Sequence, residues 1–235
     1  MKHFLPFIAL FTLIGFSGCD DHFIRGNGIA ENETRFSSTF EKVKSSGEFD
    51  VHITTGDEIE VMVNAETNLL QYIDTRVVGS TLVIDVRGFH NLRNRLPMEV
   101  YITTPNLEGI KQSGSGNITT DYFYADRFDI EISGSGRIET GVECEDLQIS
   151  VSGSGQVQIS GIADFTDFKI SGSGKINACD LKAKDCRAKI SGSGDVCAFV
   201  ERYLDASISG SGNVYYRGNP TIESHISGSG EIIPD

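Results

Sequence analysis

The tetrapeptide Ser-Gly-Ser-Gly occurs seven times in this 235-residue chain, beginning at Ser113, Ser133, Ser152, Ser171, Ser191, Ser209 and Ser227. The steps between copies are 20, 19, 19, 20, 18 and 18 residues. A flexible Gly/Ser linker has no reason to keep register with its surroundings, yet each copy is framed by apolar residues on a fixed alternation. Counting back from the first Ser, the first, third and fifth positions read Ile132, Ile130, Phe128, then Val151, Ile149, Leu147, then Ile190, Ala188, Cys186 and Ile208, Ala206, Leu204. The second residue after the last Gly is always Ile or Val, from Ile118 to Ile232. Alternation of this kind marks strands with one buried face, and repeating it at a fixed period marks a solenoid. The pattern predicts an all-β chain: a single-stranded, right-handed β-helix with an irregular N-terminal portion.

Parity gives the tetrapeptide a role. If the residue before the first Ser points inward, both Ser point outward and both Gly take inward sites. Gly there lets two walls approach or the chain bend sharply. The Ser should form outward ladders, bonding to one another or to nearby backbone. Phosphate loops require a following helix and commonly a Lys, and calcium-binding rolls require a nine-residue Asp-bearing period. Neither pattern is present, so the tetrapeptide reads as a stacked corner.

Twenty-six Gly, five Pro and no Trp suit an all-β chain. A net charge of −13 excludes a general nucleic-acid binder, which needs a basic patch. Lys2 and His3 precede an apolar run from Phe4 to Phe16 that ends in Ser17-Gly18-Cys19. This run is too short to span a bilayer and suits a signal peptide, and its ending resembles a bacterial lipobox, with Cys19 lipidated as the first mature residue. Asp20-Asp21 resembles the acidic export tag of surface lipoproteins. Residues 1–18 are therefore expected to be a lipoprotein signal peptide and 19–35 a polar tether. Residues 36–235 form the β-helix domain, irregular over 36–107 and regular over 108–235. In an oxidising compartment, Cys144, Cys179, Cys186 and Cys197 leave a disulfide open. Their spacing suggests no metal site, and no cofactor is expected. Asn68–Ile73 is the one plausible helical turn, and Ser46-Gly47-Glu48-Phe49 looks like a degenerate copy of the corner.

These residues carry a family resemblance. Ser-Ser-Gly-Glu-Phe-Asp-Val-His-Ile-Thr-Thr-Gly-Asp (45–57), Asn-Leu-Leu (68–70), Gly-Ser-Thr-Leu-Val-Ile (79–84), Ile-Thr-Thr-Pro-Asn-Leu (102–107) and the repeated tetrapeptide are similar to the head GIN domain family. That family carries an auto-transporter adhesin label and is frequent among Bacteroidetes lipoproteins. The resemblance implies a single-stranded β-helix and export, and brings no catalytic residues with it.

Four places before the tetrapeptides from Ser133 onward stand Asp129, Gln148, Asp167, Arg187, Asp205 and Glu223, and two places before all seven stand Lys111, Glu131, Ser150, Lys169, Lys189, Ser207 and His225. Asp129, Asp167, Arg187 and Asp205 are the binding candidates. Asp129 and Asp167 are two coils apart, about 9.6 Å from strand spacing, which glycosidase carboxylate pairs also reach. Coil lengths vary by only two residues, so no insertion walls a cleft. The expected function is non-enzymatic: an adhesion or envelope module held to the membrane by its lipid. It would sit at the outer membrane, on the cell surface or the periplasmic side, with glycan or surface protein as partner and end-to-end self-association through the last coil. A carbohydrate-active enzyme of pectin-lyase-like type is the alternative, and a purely structural envelope protein a third reading.

Overall fold

The computed structural model describes residues 23–88 and 90–235. Cys19, the proposed signal segment 1–18 and the first residues of the proposed tether lie outside the described residues.

The regular half is a right-handed β-solenoid. After β10 (Gly109–Gly114, the numbering running from the N-terminal strands given below), the strands β11 (Asn117–Gly134), β12 (Arg137–Gly153), β13 (Gln156–Gly172), β14 (Lys175–Gly192) and β15 (Asp195–Gly210) each supply nearly one whole coil. The chain closes with β16 (Val214–Arg217), β17 (Thr221–Gly228) and β18 (Ile232–Pro234). Neighbouring coils pair in parallel, with tetrapeptide on tetrapeptide: Ser133 opposes Ser152, then Ser171, Ser191 and Ser209 in turn. The alternation read from the sequence sets the core. Ile132, Val151, Ile170, Ile190 and Ile208 stack as one inward column, each 0–2% exposed. Size is balanced along the axis in the next column, where Phe168 is followed by Ala188 and Ala206, as close packing requires.

The tetrapeptide is a stacked corner, as parity predicts, but only its second Gly takes the buried site that parity gave to both. Both Ser are exposed in each regular copy from Ser133 to Ser227, the first Gly is half-buried in most and the second is buried in all. The first Gly of every copy has φ between 107° and 133°, a region closed to most side chains. From Gly155 onward the second lies over the apolar residue one coil back: a Cβ on Gly155 would stand 2.4 Å from Cγ2 of Ile132, and one on Gly174 2.4 Å from Cγ1 of Val151. The ladder expected of the Ser hydroxyls is instead a backbone one. The Ser173 N–H donates to the Gly153 carbonyl at 2.9 Å, and Ser193 N–H to Gly172 at 2.8 Å. Gly47 pairs in register with Gly114 and has φ 117°, so Ser46–Phe49 is a true copy of the corner. There Phe49 is fully buried in the core.

The N-terminal part extends both long faces and then ends them. It comprises β1 (Phe23–Arg25), β2 (Ala30–Arg35), β3 (Lys42–Gly47), β4 (Asp50–Thr55), β5 (Glu60–Glu66), a 3-10 turn (Leu70–Tyr72), β6 (Ile73–Val78), β7 (Thr81–Val86), β8 (Asn91–Arg93) and β9 (Glu99–Thr104). One face continues from β10 through β3 and β7 to antiparallel β6; the other runs from β11 through β4 and β9 to antiparallel β5 and β2. The outermost β2, Ala-Glu-Asn-Glu-Thr-Arg, is charged, a common protection for an edge strand. The helical turn expected at 68–73 is present as the 3-10 turn.

The tether expectation needs correction from Phe23 onward. β1 pairs with β8, and β2 pairs with β5. A buried carboxylate, which no sequence pattern singled out, ties this segment down. Glu66 is fully buried and accepts hydrogen bonds from the backbone N–H of Gly28 and, at 2.7 Å, of Arg95. It holds the segment before β2 and the loop after β8 to one point. Burial raises its pKa, but the amides of Arg95, Gly28 and Leu96 and the Arg95 charge outweigh that and leave it below the ordinary value.

Candidate functional site

Two surfaces on the coils carry concentrated chemistry. The first is the face before the corner. Asp129, Gln148, Asp167, Arg187, Asp205 and Glu223 stand in register on successive coils, as the sequence implies. Their charges are largely matched within the chain. Asp129 meets Lys42 at 3.3 Å and Arg127 at 3.1 Å, and Arg187 meets Asp205 at 3.2 Å. Asp167 pairs with Lys169 at 2.8 Å, two residues along its own strand, instead of with Arg187. Asp167 is only 7% exposed, buried for an outward position, and its Oδ1 has no hydrogen-bond partner. The adjacent column brings Ser150, Lys169 and Lys189 together with Ser152, Ser171 and Ser191 along a shallow groove of about 300 Å³. Thus Asp129 and Asp167 are separated by Gln148 and each is held by its own cation, while Arg187 and Asp205 form a pair.

The second surface lies where each coil bends away from the face that follows the tetrapeptide. Registers break here, between Thr119 and Tyr122, Gln158 and Ser160, and Ala178 and Lys182. Tyr122 lies over small residues: a Cβ on Gly141 would stand 2.6 Å from its Cδ2, and one on Gly161 3.0 Å from its hydroxyl. Its ring meets Tyr124 edge-on at 5.3 Å. Burial first, then the Glu143 charge, raises the Tyr122 pKa. Beyond Tyr124 a groove of about 410 Å³ is lined by Tyr124, Ala125, Asp126, Glu143, Cys144, Glu145, Ile162 and Asp164. Tyr124 is 72% exposed and Ile162 49%. Cys144 is buried at the groove wall, and desolvation, with Asp146 and Asp164 adding, pushes its thiol up to about 12. At neutral pH it is a protonated, unreactive thiol.

Over residues 39–220 the sequence matches the family described as "Putative auto-transporter adhesin, head GIN domain". The chain belongs to this family. Among solved structures, the head GIN chain is similar to a "putative adhesin" from Bacteroides fragilis at TM-score 0.85 and 25% identity, covering 90% of this chain and 100% of that one. It is also similar to a "putative lipid binding protein" from Parabacteroides distasonis at TM-score 0.76 and 26% identity, covering 91% and 99%. A "putative adhesin" from Parabacteroides merdae, at TM-score 0.68 and 18% identity over 91% and 99%, shares the fold. No curated protein matches the chain.

The head GIN solenoid also settles the cysteines. Cys179 and Cys197, 18 residues apart, form a disulfide with Cα atoms 5.2 Å apart, joining two adjacent coils. Cys144 and Cys186 are free and buried. Cys186 takes the inward position its parity gave it, and burial pushes its thiol up to about 12. Asp235 approaches the Cys179–Cys197 pair, but disulfide sulfurs are poor metal ligands and the Asp235 carboxylate already binds Arg217 at 2.7 Å. The isolated histidines have packing partners in two cases: His52 stacks on Tyr101 and bonds Thr119, and His90 meets Tyr72 edge-on. Sequence reasoning missed the Tyr122–Tyr124 groove. The Tyr-x-Tyr beside Asp121 and Asp126 was the available signal, but alternation across a register break does not say which side chains face solvent.

Proposed function

We propose that this head GIN chain is an exported, lipid-anchored, non-enzymatic binding module of the cell envelope, serving adhesion to glycan or protein at or beyond the outer membrane. The observation that carries it is the coil-on-coil register of the face before the corner, kept from β10 to β15, which leaves a long, ordered face with shallow grooves. Such faces suit recognition over an extended area better than enclosure of a reacting bond. Similarity to proteins described as adhesins supports the same reading. An inter-coil disulfide fits an oxidising compartment, and the Ser17-Gly18-Cys19 ending supports lipid attachment at Cys19. The carboxylates that a lyase or glycosidase would use are occupied: Asp129 by Lys42 and Arg127, and Asp205 by Arg187.

Radiolabelled fatty acid should appear on the wild-type protein and be absent from Cys19→Ala, which should leave the membrane fraction or remain unprocessed. Cells lacking the gene should lose attachment to a glycan- or protein-coated surface that Asp167→Asn restores as well as wild type does. Turnover of a polyuronide by the purified protein that vanishes in Asp167→Asn would replace this reading with the enzymatic one. β17 pairs with β15 on one side and is exposed along its length; Ile222 and Ile226 continue the inward columns of Leu204 and Ile208 yet are 39% and 42% exposed. End-to-end self-association through this edge is part of the proposal, and light scattering over a concentration series tests it.

A further inference from the structure

The outward column Tyr124–Glu143–Ile162–Lys182–Phe199 runs along the bend in register over five coils. Its two ends are treated differently. At one end the chain covers its own ring, with the Lys182 ammonium 5.9 Å from the Phe199 centroid. Two other rings are treated alike, Arg93 lying 3.5 Å over Phe23 and Arg187 6.0 Å over Phe165. At the other end Tyr124 is the most exposed ring of the coils, and no cation of the described residues stacks on it. Beside it, the pairings Ala125–Cys144 and Cys144–Ala163 place Asp126, Glu145 and Asp164 on successive coils, about 4.8 Å apart. Lys184 engages Asp164 at 2.6 Å, but Asp126, Glu143 and Glu145 have no ion-pair partner among the described residues.

We propose that this groove is a docking site for a cationic segment of a partner protein, with an Arg or Lys side chain laid on Tyr124 and its charge shared by Asp126, Glu143 and Glu145. A guanidinium is planar, stacks on aromatic faces and forks to carboxylates, which matches this combination. Stacked like charges repel across neighbouring strands, so a cation arriving there relieves a strain that a neutral sugar leaves in place. Apolar walls at Ala125, Tyr124 and Ile162 and a volume of about 410 Å³ exceed what a lone metal ion needs and fit the stem of a long side chain. A second copy of this chain, net −13, has the wrong sign for the role.

The inference rests on the chain being a binding module, and its test is separate from the cell-attachment assay: a strain that attaches normally would remove the adhesion role and leave this titration untouched. Full chain in non-ionic detergent is titrated against a fluorescein-labelled peptide of alternating Arg and Leu, read by anisotropy. Tyr124→Ala should weaken binding about tenfold, the size of a desolvated cation–aromatic contact, and Tyr124→Phe should retain most of it. Glu143→Gln with Glu145→Gln should weaken it similarly, whereas Glu31→Gln with Glu33→Gln, the same charge change on the distant β2, should stay within about twofold. Circular dichroism confirms that each variant is folded, and the Phe and Gln variants keep the size of the side chains they replace. Equal loss in the β2 control, full binding by Tyr124→Ala, or equal binding of the peptide with Gln in place of Arg would overturn the proposal. So would Tyr124-dependent binding of neutral oligosaccharide without binding of the peptide.

Discussion

The carbonyl oxygen of Gly153 stands 2.5 Å from the point where Gly172 would carry a Cβ. That same oxygen accepts the Ser173 N–H at 2.9 Å, so it cannot retreat without breaking the bond that stacks one corner on the next. Gly172 also sits at φ 122°, which a β-branched residue tolerates poorly. The repeat therefore selects glycine twice, for space and for angle.

Gly172→Val should lower the denaturant midpoint by the equivalent of about 1–3 kcal/mol or more. Ser173→Ala, at an exposed hydroxyl, should stay within about 0.5 kcal/mol. A larger loss in the Ser variant would return the hydroxyls to a structural or ligand-binding role.

Glu66 should make stability depend on acid. Its folded carboxyl ionises below the ordinary carboxylate range of about 4.3. Its contribution is thus complete above that pH and is lost as pH falls through the folded value. Glu66→Gln should lower Tm at pH 7, where Gly28, Arg95 and Leu96 lose a charged acceptor, and should flatten the fall in Tm between pH 5 and 3. Melting curves across that range check both; an unchanged acid limb would count against the buried carboxylate as its source.

Reducing the Cys179–Cys197 bond should destabilise the chain by about 3 kcal/mol on the loop-closure estimate for an 18-residue separation. In a solenoid each coil contacts mainly its neighbours, so the loss should be felt first in β14 to β18. Hydrogen exchange with and without dithiothreitol should show faster exchange there than in β3 to β10. Uniform acceleration would indicate a single cooperative unit.

Gly141→Ala should disturb Tyr122 while leaving the coil intact, because the new methyl would meet the ring at 2.6 Å and the ring has solvent to move into. A changed near-ultraviolet dichroism with an unchanged far-ultraviolet spectrum is the expected outcome. Loss of both would mean that the ring packs as core.

The sequence by itself determined the solenoid, its corner and its inward columns. Side chains in a strand alternate faces, and a period kept within two residues forces equivalent positions to stack. Ile132 beneath Val151 was implicit in that counting, as was the buried Cys186. Tertiary structure decided what counting cannot carry across an irregularity. Register breaks near Tyr122, Ser160 and Lys182 reset which side chains face out, and so created the Tyr124 groove and brought Cys179 onto Cys197. Asp167 was legible as an outward residue, but its burial was not, because that depends on neighbouring side chains in other coils. The N-terminal strands were legible as strands only in part. Phe23–Arg35 lacks alternation and is ordered by partners far along the chain, above all by Glu66 accepting the amides of Gly28 and Arg95. Short-range pattern reports burial of one face, whereas the pairing of distant segments is fixed by hydrogen-bond partners that no local window contains.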